Sequence, residues 1–384
     1  MIGGISNDVI SLASYLTKDF DILLLYGEKE KDEEDALFLL DVFPGLTVKK
    51  IKTLKRQINP LNDLPAFFDI RREIKNFKCD IVHTHGAKSG MLGRLAAHFE
   101  KVPCIVHTFH GHLFHSYYNS IISKFIIITE RWLGRITSRI IAISEWQKHE
   151  LVDVFKIASK DKVSLIYLGL DTNNYQQHKL SGRKNFRAHY NLMGEDVAIG
   201  ITGRIVSVKN LNLFIDVVKQ IIPAQKNAKF FIIGDGEKKQ HLQKQLTAAG
   251  IRWCNADNLD VDAKVFFTSW INNIEQQIHG LDVIVLTSVN EGTPLSLIEA
   301  QICAKPVVAT NVGGVRDTFE DGLSGFLVNS GDIENFVKKL DLLINNQELR
   351  EKMGRHGCRF ARQRFSKETE VQLFRELYNN CPVT

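Results

Sequence analysis

Short runs rich in Ile, Val and Phe alternate along the chain with stretches whose apolar residues recur at helical spacing. In the first half the strand-like runs are Ile22–Tyr26, Asp80–His85, Pro103–Thr108, Arg139–Ile143 and Val163–Ile166. Helical patterns lie between them, among others over Ala66–Phe77, Lys88–Phe99 and Ser144–Phe155. The second half repeats the rhythm with Val197–Thr202, Lys229–Ile233, Lys264–Thr268, Asp282–Thr287, Pro306–Thr310 and Gly325–Val328. Alternation of strand and helix, with no hairpin dipeptide between strands, predicts parallel sheets covered on both faces. Between Gly169 and Asn185 the text turns polar, with Asn173, Asn174, Gln176, Gln177, Ser181, Gly182 and Lys184 close together. That stretch reads as a boundary between two α/β domains. In such folds ligands bind outside the carboxyl ends of the strands, so function is sought in the loops that follow them.

Composition narrows the class. The 384 residues are enough for two domains, and 44% hydrophobic with 24% charged residues is ordinary for a soluble globular protein. The most apolar stretch, Ile121–Leu133, is short and interrupted by Lys124, Glu130 and Arg131, so it does not read as a membrane span. Nothing after Met1 reads as a signal peptide, which points to a cytoplasmic protein. The six cysteines are scattered, which fits free thiols better than a disulfide framework. A net charge of +5 is small for this length and gives no reason to expect a nucleic-acid partner. Its distribution is uneven: residues 28–41 hold seven acidic and two basic side chains, and residues 49–78 hold nine basic and three acidic. The basic stretch reads either as a solvated face or as a surface for a phosphate-bearing acceptor or an anionic membrane.

The loops of the second half carry the chemistry. After Val197–Thr202 come Gly203, Arg204 and, before the next helix, Ser207 and Lys209. A guanidinium and an ammonium at a strand end suit a diphosphate, and Ser207 is placed to cap the helix. The plainer alternative is a pair of surface cations beside a turn. After Asp282–Thr287 comes Glu291-Gly292-Thr293-Pro294-Leu295-Ser296, then Glu299 within the following helix. Pro294 reads as the first helical residue, which would aim the N–H groups of Leu295 and Ser296 at an anion. A carboxylate accepts hydroxyl hydrogen bonds, so Glu291 and Glu299 suit a sugar and a ribose; the plain reading makes them dipole-facing and solvated.

Glu291 and Glu299, spaced E-x7-E, with Gly203-Arg204 and Lys209, resemble the signature of retaining family 4 glycosyltransferases of the GT-B superfamily, the bacterial group 1 type. Further matching segments are Phe231–Gly236, Val308–Gly314 and Asp321–Val328. The resemblance spans nearly the whole chain. It implies two Rossmann-like domains facing a central cleft: an acceptor-side domain over 1–174, a nucleotide-sugar domain over 175–365, and a helix over 366–384 returning to the first. Val371, Phe374 and Leu377 give that last segment helical spacing.

Seven of the thirteen histidines fall between positions 83 and 115, a pattern that invites a metal site. The spacings of His83 with His85 and of His110 with His112 are not those of a zinc motif, and no cysteine is interleaved, so no metal is expected. The resemblance instead sets His110 opposite the donor sugar, with His83, His85 and His112 either supporting it or purely structural. Gly3 and Gly4 resemble the family's glycine loop at the donor phosphates. The resemblance also implies a strand ahead of Gly3, which Met1 and Ile2 are too few to form, so the first strand is expected to be missing.

The activity implied is metal-independent transfer of a hexosyl group from a nucleotide sugar, with retention, in cell-surface polysaccharide biosynthesis. The acceptor is expected to be a saccharide or lipid-linked saccharide, with peripheral contact at the inner face of the plasma membrane. His110, Arg204, Lys209 and Glu291 would serve catalysis; Gly3, Gly4, Gly203, Thr293, Leu295, Ser296 and Glu299 would bind the donor. The donor is a co-substrate, with UDP-sugar favoured over GDP-sugar, and no cofactor is expected. Two D-x-D strings, Asp19–Asp21 and Asp260–Asp262, precede strands and read as solvated turns. Rival readings are a sugar-nucleotide epimerase on the same plan and a non-catalytic nucleotide-sugar-binding descendant of a transferase. A nicotinamide dehydrogenase is disfavoured because no complete G-x-G-x-x-G follows a strand.

Overall fold

Every pairing between the described strands is parallel, as the alternation of strand and helix requires. The computed structural model describes residues 4–28, 45–55, 57–111, 120–177, 179–271 and 273–382. The chain divides into two units, Met1–Gly169 with Lys367–Thr384, and Leu170–Ser366. No helix among the described residues is long and apolar enough to cross a membrane.

The first unit runs α1 (Gly4–Leu16), β1 (Leu23–Gly27), β2 (Thr47–Ile51), α2 (Pro60–Phe77), β3 (Ile81–His85) and α3 (Ala87–Phe99). It continues through β4 (Cys104–Phe109), α4 (Ser120–Ile136), β5 (Arg139–Ala142), α5 (Glu145–His149) and β6 (Val163–Leu165). Alternation along β4 builds two half-cores. Cys104 and Val106 pack with Leu12 and Leu16 of α1, and Ile105 packs with Ile70, Ile74, Leu92 and Ala96 of α2 and α3. Asn59 caps α2 by accepting from the N–H of Leu61, and Pro60 follows at the first helical position. The sheet is in two pieces, β1-β2 and β3-β4-β5-β6. No strand precedes α1 among the described residues, and β1 is only half-buried along its length although it reads Leu-Leu-Leu-Tyr. Gly4, expected in a phosphate loop, is the first residue of α1, and Gly3 lies outside the described residues. So do residues 29–41 of the acidic run.

Two expectations are corrected here. Strand β2 carries Lys49 and Lys50 and was not legible as a strand; with β1 its partner among the described strands, its polar side chains need not be buried. The cysteines are not all free: Cys104 on β4 and Cys381 form a disulfide with Cα atoms 5.8 Å apart. The two are 277 residues apart, so the pairing follows from the return of the last helix, α14 (Lys367–Asn379), to this unit.

One buried ion pair ties α3 to α4. Arg94, fully buried, donates through Nη2 to both oxygens of Glu130 at 2.9 Å and through Nε to the Gly90 carbonyl. Removing one partner strands the other charge in an apolar setting. Glu130→Ala is therefore expected to destabilise the protein by about 3 kcal/mol, whereas joint replacement of Arg94 by Met and Glu130 by Leu restores most of it. Urea denaturation of the three variants checks this, and equal losses from the single and double changes would contradict it.

The second unit runs α6 (Thr172–Gln177), α7 (Lys179–His189), β7 (Val197–Thr202), α8 (Leu211–Ile221), β8 (Ala228–Ile233), α9 (Lys239–Ala248) and β9 (Trp253–Asn255). It continues through β10 (Val265–Ser269), α10 (Ile274–Gly280), β11 (Val283–Leu286), α11 (Leu295–Ile302), β12 (Val307–Thr310) and β13 (Gly325–Val328), and ends with α12 (Ile333–Asn345) and α13 (Gln347–Arg364). Its seven strands lie in the order β13-β12-β11-β7-β8-β10-β9. The chain starts the sheet at β7, builds outward through β8, and returns to the other side of β7 with β11. The order therefore reverses between β7 and β11, and the crevice above their carboxyl ends is where such a sheet binds ligands. Strands β7, β11 and β12 are wholly buried and β8 nearly so, which explains their unbroken apolar text.

Candidate active site

At the switch point the loops after β7 and β11 are bonded to each other. The Val289 N–H donates to the Val208 carbonyl, and Thr287 Oγ1 donates to the Lys209 carbonyl, both at 3.0 Å. Lys209 Nζ lies 2.6 Å from Glu291 Oε1, and Ser288 Oγ donates to the same oxygen at 2.5 Å. Gly203 sits against the Lys209 stem. Arg204 is exposed and makes no ion pair among the described residues. The structure thus gathers Gly203, Arg204, Lys209 and Glu291 at the carboxyl ends of two adjacent strands.

Helix α11 begins just beyond Glu291. Pro294 stands at the cap position with an extended backbone (φ −73°, ψ 103°), not at the first helical position as expected, because Leu295 opens the helix. There is no side-chain cap, so the N–H groups of Leu295 and Ser296 lack intrahelical partners and face outward with the positive end of the helix dipole. Thr293 lies in the turn before Pro294. Ser207, expected to cap α8, lies instead in a 3-10 turn over Ser207–Lys209, and Asn210 precedes the helix in a left-handed conformation with no capping bond. The loops pack backbone to backbone. A Cβ on Gly234 would stand 2.0 Å from the Gly203 carbonyl oxygen, and one on Gly313 2.0 Å from that of Glu291, so neither position admits a side chain without moving the site.

Glu299 lies in the second turn of α11 and is held from the rear by a residue that sequence reasoning missed. Tyr175 on α6 donates its hydroxyl to Glu299 Oε1 at 2.9 Å. Burial raises the Glu299 carboxyl, opposed by this hydrogen bond, and burial with the neighbouring Glu299 pushes the Tyr175 hydroxyl well up. No motif marks Tyr175, since it is 124 residues from its partner.

In the first unit, His110 follows β4 and its Nε2 lies 2.9 Å from Nδ1 of His85, at the end of the adjacent β3. His83 bonds Tyr378 and Thr108, and His107 bonds Thr84. Burial holds all four imidazoles below their ordinary range: His83 is pushed down to about 3, and His85 and His107 lie well below it. For His110, Asp8 works against that shift and Lys367 reinforces it. A neutral imidazole offers one donor and one acceptor nitrogen, so this bond couples the two tautomers: one ring donates where the other accepts. Behind them Lys367 bonds Asp8 at 3.0 Å and Glu370 at 2.5 Å, a buried triad joining α1 to α14. Among the described residues no three His, Cys, Asp or Glu side chains are placed to hold a metal ion. His112 lies outside those residues. Asp19 pairs with Arg375 and Asp262 with Arg252, so neither D-x-D string forms an acidic cluster.

Comparison with known proteins bears on both units. Residues 2–174 match the family model described as Glycosyltransferase Family 4, and residues 182–359 match Glycosyl transferases group 1. An Escherichia coli UDP-Gal:alpha-D-GlcNAc-diphosphoundecaprenol alpha-1,3-galactosyltransferase is 28% identical over 305 residues, which are 78% of this chain and 75% of that protein. A Staphylococcus aureus capsular polysaccharide biosynthesis glycosyltransferase is 26% identical over 85% of this chain and 83% of its own. An Anabaena protein crystallised with UDP and glucose shares the fold, with a TM-score of 0.79 at 20% identity over 98% of this chain and 96% of that one.

Proposed function

Because the chain belongs to family 4 of the group 1 glycosyltransferases, we propose that it moves a sugar from a nucleotide-sugar donor to a saccharide or lipid-linked saccharide in polysaccharide biosynthesis. The transfer proceeds with retention and without a metal ion. The observation that carries this reading is the cluster at the β7–β11 switch point, where Lys209 pairs with Glu291, Arg204 follows β7 and the uncapped start of α11 follows β11. The Escherichia coli relative, named for UDP-Gal and for a diphosphoundecaprenol-linked GlcNAc, supports the donor and acceptor classes.

Departure of a nucleoside diphosphate concentrates negative charge on its terminal phosphate. Fixed cations and helix-start N–H groups stabilise that charge without reorganising during the reaction. The donor's C1–O bond breaks with its electron pair leaving on the phosphate, the acceptor hydroxyl bonds C1 on the same face, and its proton passes to the departing phosphate oxygen. No protein nucleophile is consumed. Glu291 orients the donor sugar's hydroxyls, Glu299 the ribose, and neutral His110 the reacting sugar by hydrogen bonding.

If Glu299 takes the ribose, Tyr175 positions it. Tyr175→Phe is then expected to raise donor KM roughly three- to tenfold, the value of one hydrogen bond, with kcat within about twofold. A fall in kcat at unchanged KM would remove Tyr175 from this role. The reading as a whole is tested by offering UDP-, GDP- and ADP-sugars with and without a lipid-linked acceptor, and measuring released nucleotide and product anomer. Acceptor-dependent release from UDP-sugar, unaffected by EDTA, is expected. An epimerised donor without acceptor, or nucleotide binding without turnover, would replace the reading with an epimerase or a binding protein.

A further inference from the structure

We propose that the first unit docks on an anionic lipid surface through the outer face of α4, with Phe125, Ile128 and Trp132 seated among the lipid headgroups. The inference rests on the membrane-borne acceptor of the proposed function, and it moves the contact away from the basic stretch at 49–78. In that stretch four of the eight described cations are paired within the protein itself. Lys49 pairs with Glu73 and Lys50 with Glu28, each at 2.6 Å, while Arg71 pairs with Glu100 and Arg72 with Asp69 at 2.7 Å.

Helix α4 differs on each count. Its inner side is spoken for: Leu133 is fully buried, and Glu130, the helix's one acidic residue, is turned inward to Arg94. Its outer side leaves Phe125 70%, Ile128 62% and Trp132 46% exposed. At about 100° per residue these three fall within an arc of roughly 60°. Lys124, Arg131 and Arg135, all exposed, fall within roughly 40° beside it. Lys124 and Arg135 make no ion pair among the described residues, and Arg131 reaches the Phe155 carbonyl through Nε. An apolar stripe bordered by cations and free of acids, on a helix too short to span a bilayer, has the charge and shape to lie in a lipid interface. A second copy of the chain suits it less, since a two-fold pair would set these cations against one another.

The full chain is floated with vesicles of phosphatidylcholine alone or mixed with phosphatidylglycerol. Binding to the mixed vesicles only, weakened by salt, is expected. Lys124→Gln with Arg135→Gln should weaken it roughly thirtyfold, and Phe125→Ser with Trp132→Ser should remove it. Brominated lipid should quench tryptophan fluorescence in the native protein and not in Trp132→Phe. These variants should melt normally and bind UDP as the native protein does, which separates failure of docking from failure of the transfer reading. Undiminished vesicle binding by both double variants would overturn the proposal. So would absence of vesicle binding, whether alone or with a concentration-dependent dimer that Phe125→Ser with Trp132→Ser abolishes.

Discussion

Lys209→Ala is expected to lower kcat by roughly 100- to 1,000-fold, more than Arg204→Ala does. One unit charge at contact is worth about 4 kcal/mol at intermediate dielectric, an upper scale that corresponds to about three powers of ten in rate. Two features of the structure make Lys209 the larger loss. Its ammonium lies 2.6 Å from Glu291, whose side chain is only 12% exposed, so its removal leaves that carboxylate facing the departing diphosphate. It also screens a carboxylate already engaged by Ser288 on the same oxygen. Arg204, by contrast, is exposed, and its loss should reduce turnover with no change in melting temperature. Lys209→Ala should also shift the melting temperature downward by a few degrees, because the pair is partly buried. Steady-state kinetics and thermal melts of the two variants check the order. Equal turnover in Lys209→Ala and native protein would remove the diphosphate from this crevice.

Acidification is expected to destabilise the first unit steeply below pH 6.5. His107 is buried and His83 and His85 half-buried, and desolvation holds all three imidazoles neutral, well below the ordinary 6.5; Arg94 adds to the effect at His107. A group depressed in the folded state contributes stability above its unfolded pKa and loses it as pH falls. Between pH 6.5 and the folded values, the unfolded chain takes up protons that the native chain refuses. Each such imidazole then costs up to about 1.4 kcal/mol per pH unit, so three give about 3 kcal/mol between pH 6.5 and 5.5 and more below. Denaturant melts across that range measure the slope directly. His107→Asn should flatten it by about one third, whatever it does to stability at neutral pH; an unchanged slope would mean that these groups titrate in the native protein.

Much of the fold was legible because the apolar text is a one-dimensional shadow of burial on both faces of a parallel sheet. Eleven strand-like runs correspond to strands β1, β3 to β8 and β10 to β13. Strands β2 and β9 escaped for opposite reasons. The first is interrupted by Lys49 and Lys50 and pairs only with β1 among the described strands, and the second has three residues, too few to show a period. The placing of Arg204, Lys209 and Glu291 was also legible, since loops that follow neighbouring strands keep fixed positions relative to those strands.

By itself the sequence determined most of the strands, that they run parallel, and which loops hold Arg204, Lys209 and Glu291. Those properties depend on neighbours a few residues apart. Tertiary structure alone decided that Tyr175 stands behind Glu299, that His85 bonds His110, that Cys104 meets Cys381, and that Glu130 turns inward while its helix leaves an apolar and cationic face in solvent. Each of these is a meeting of residues from separate elements or a choice of which helix side is covered. Burial and hydrogen bonding depend on distance in space, and local periodicity carries no record of which distant segment supplies the partner.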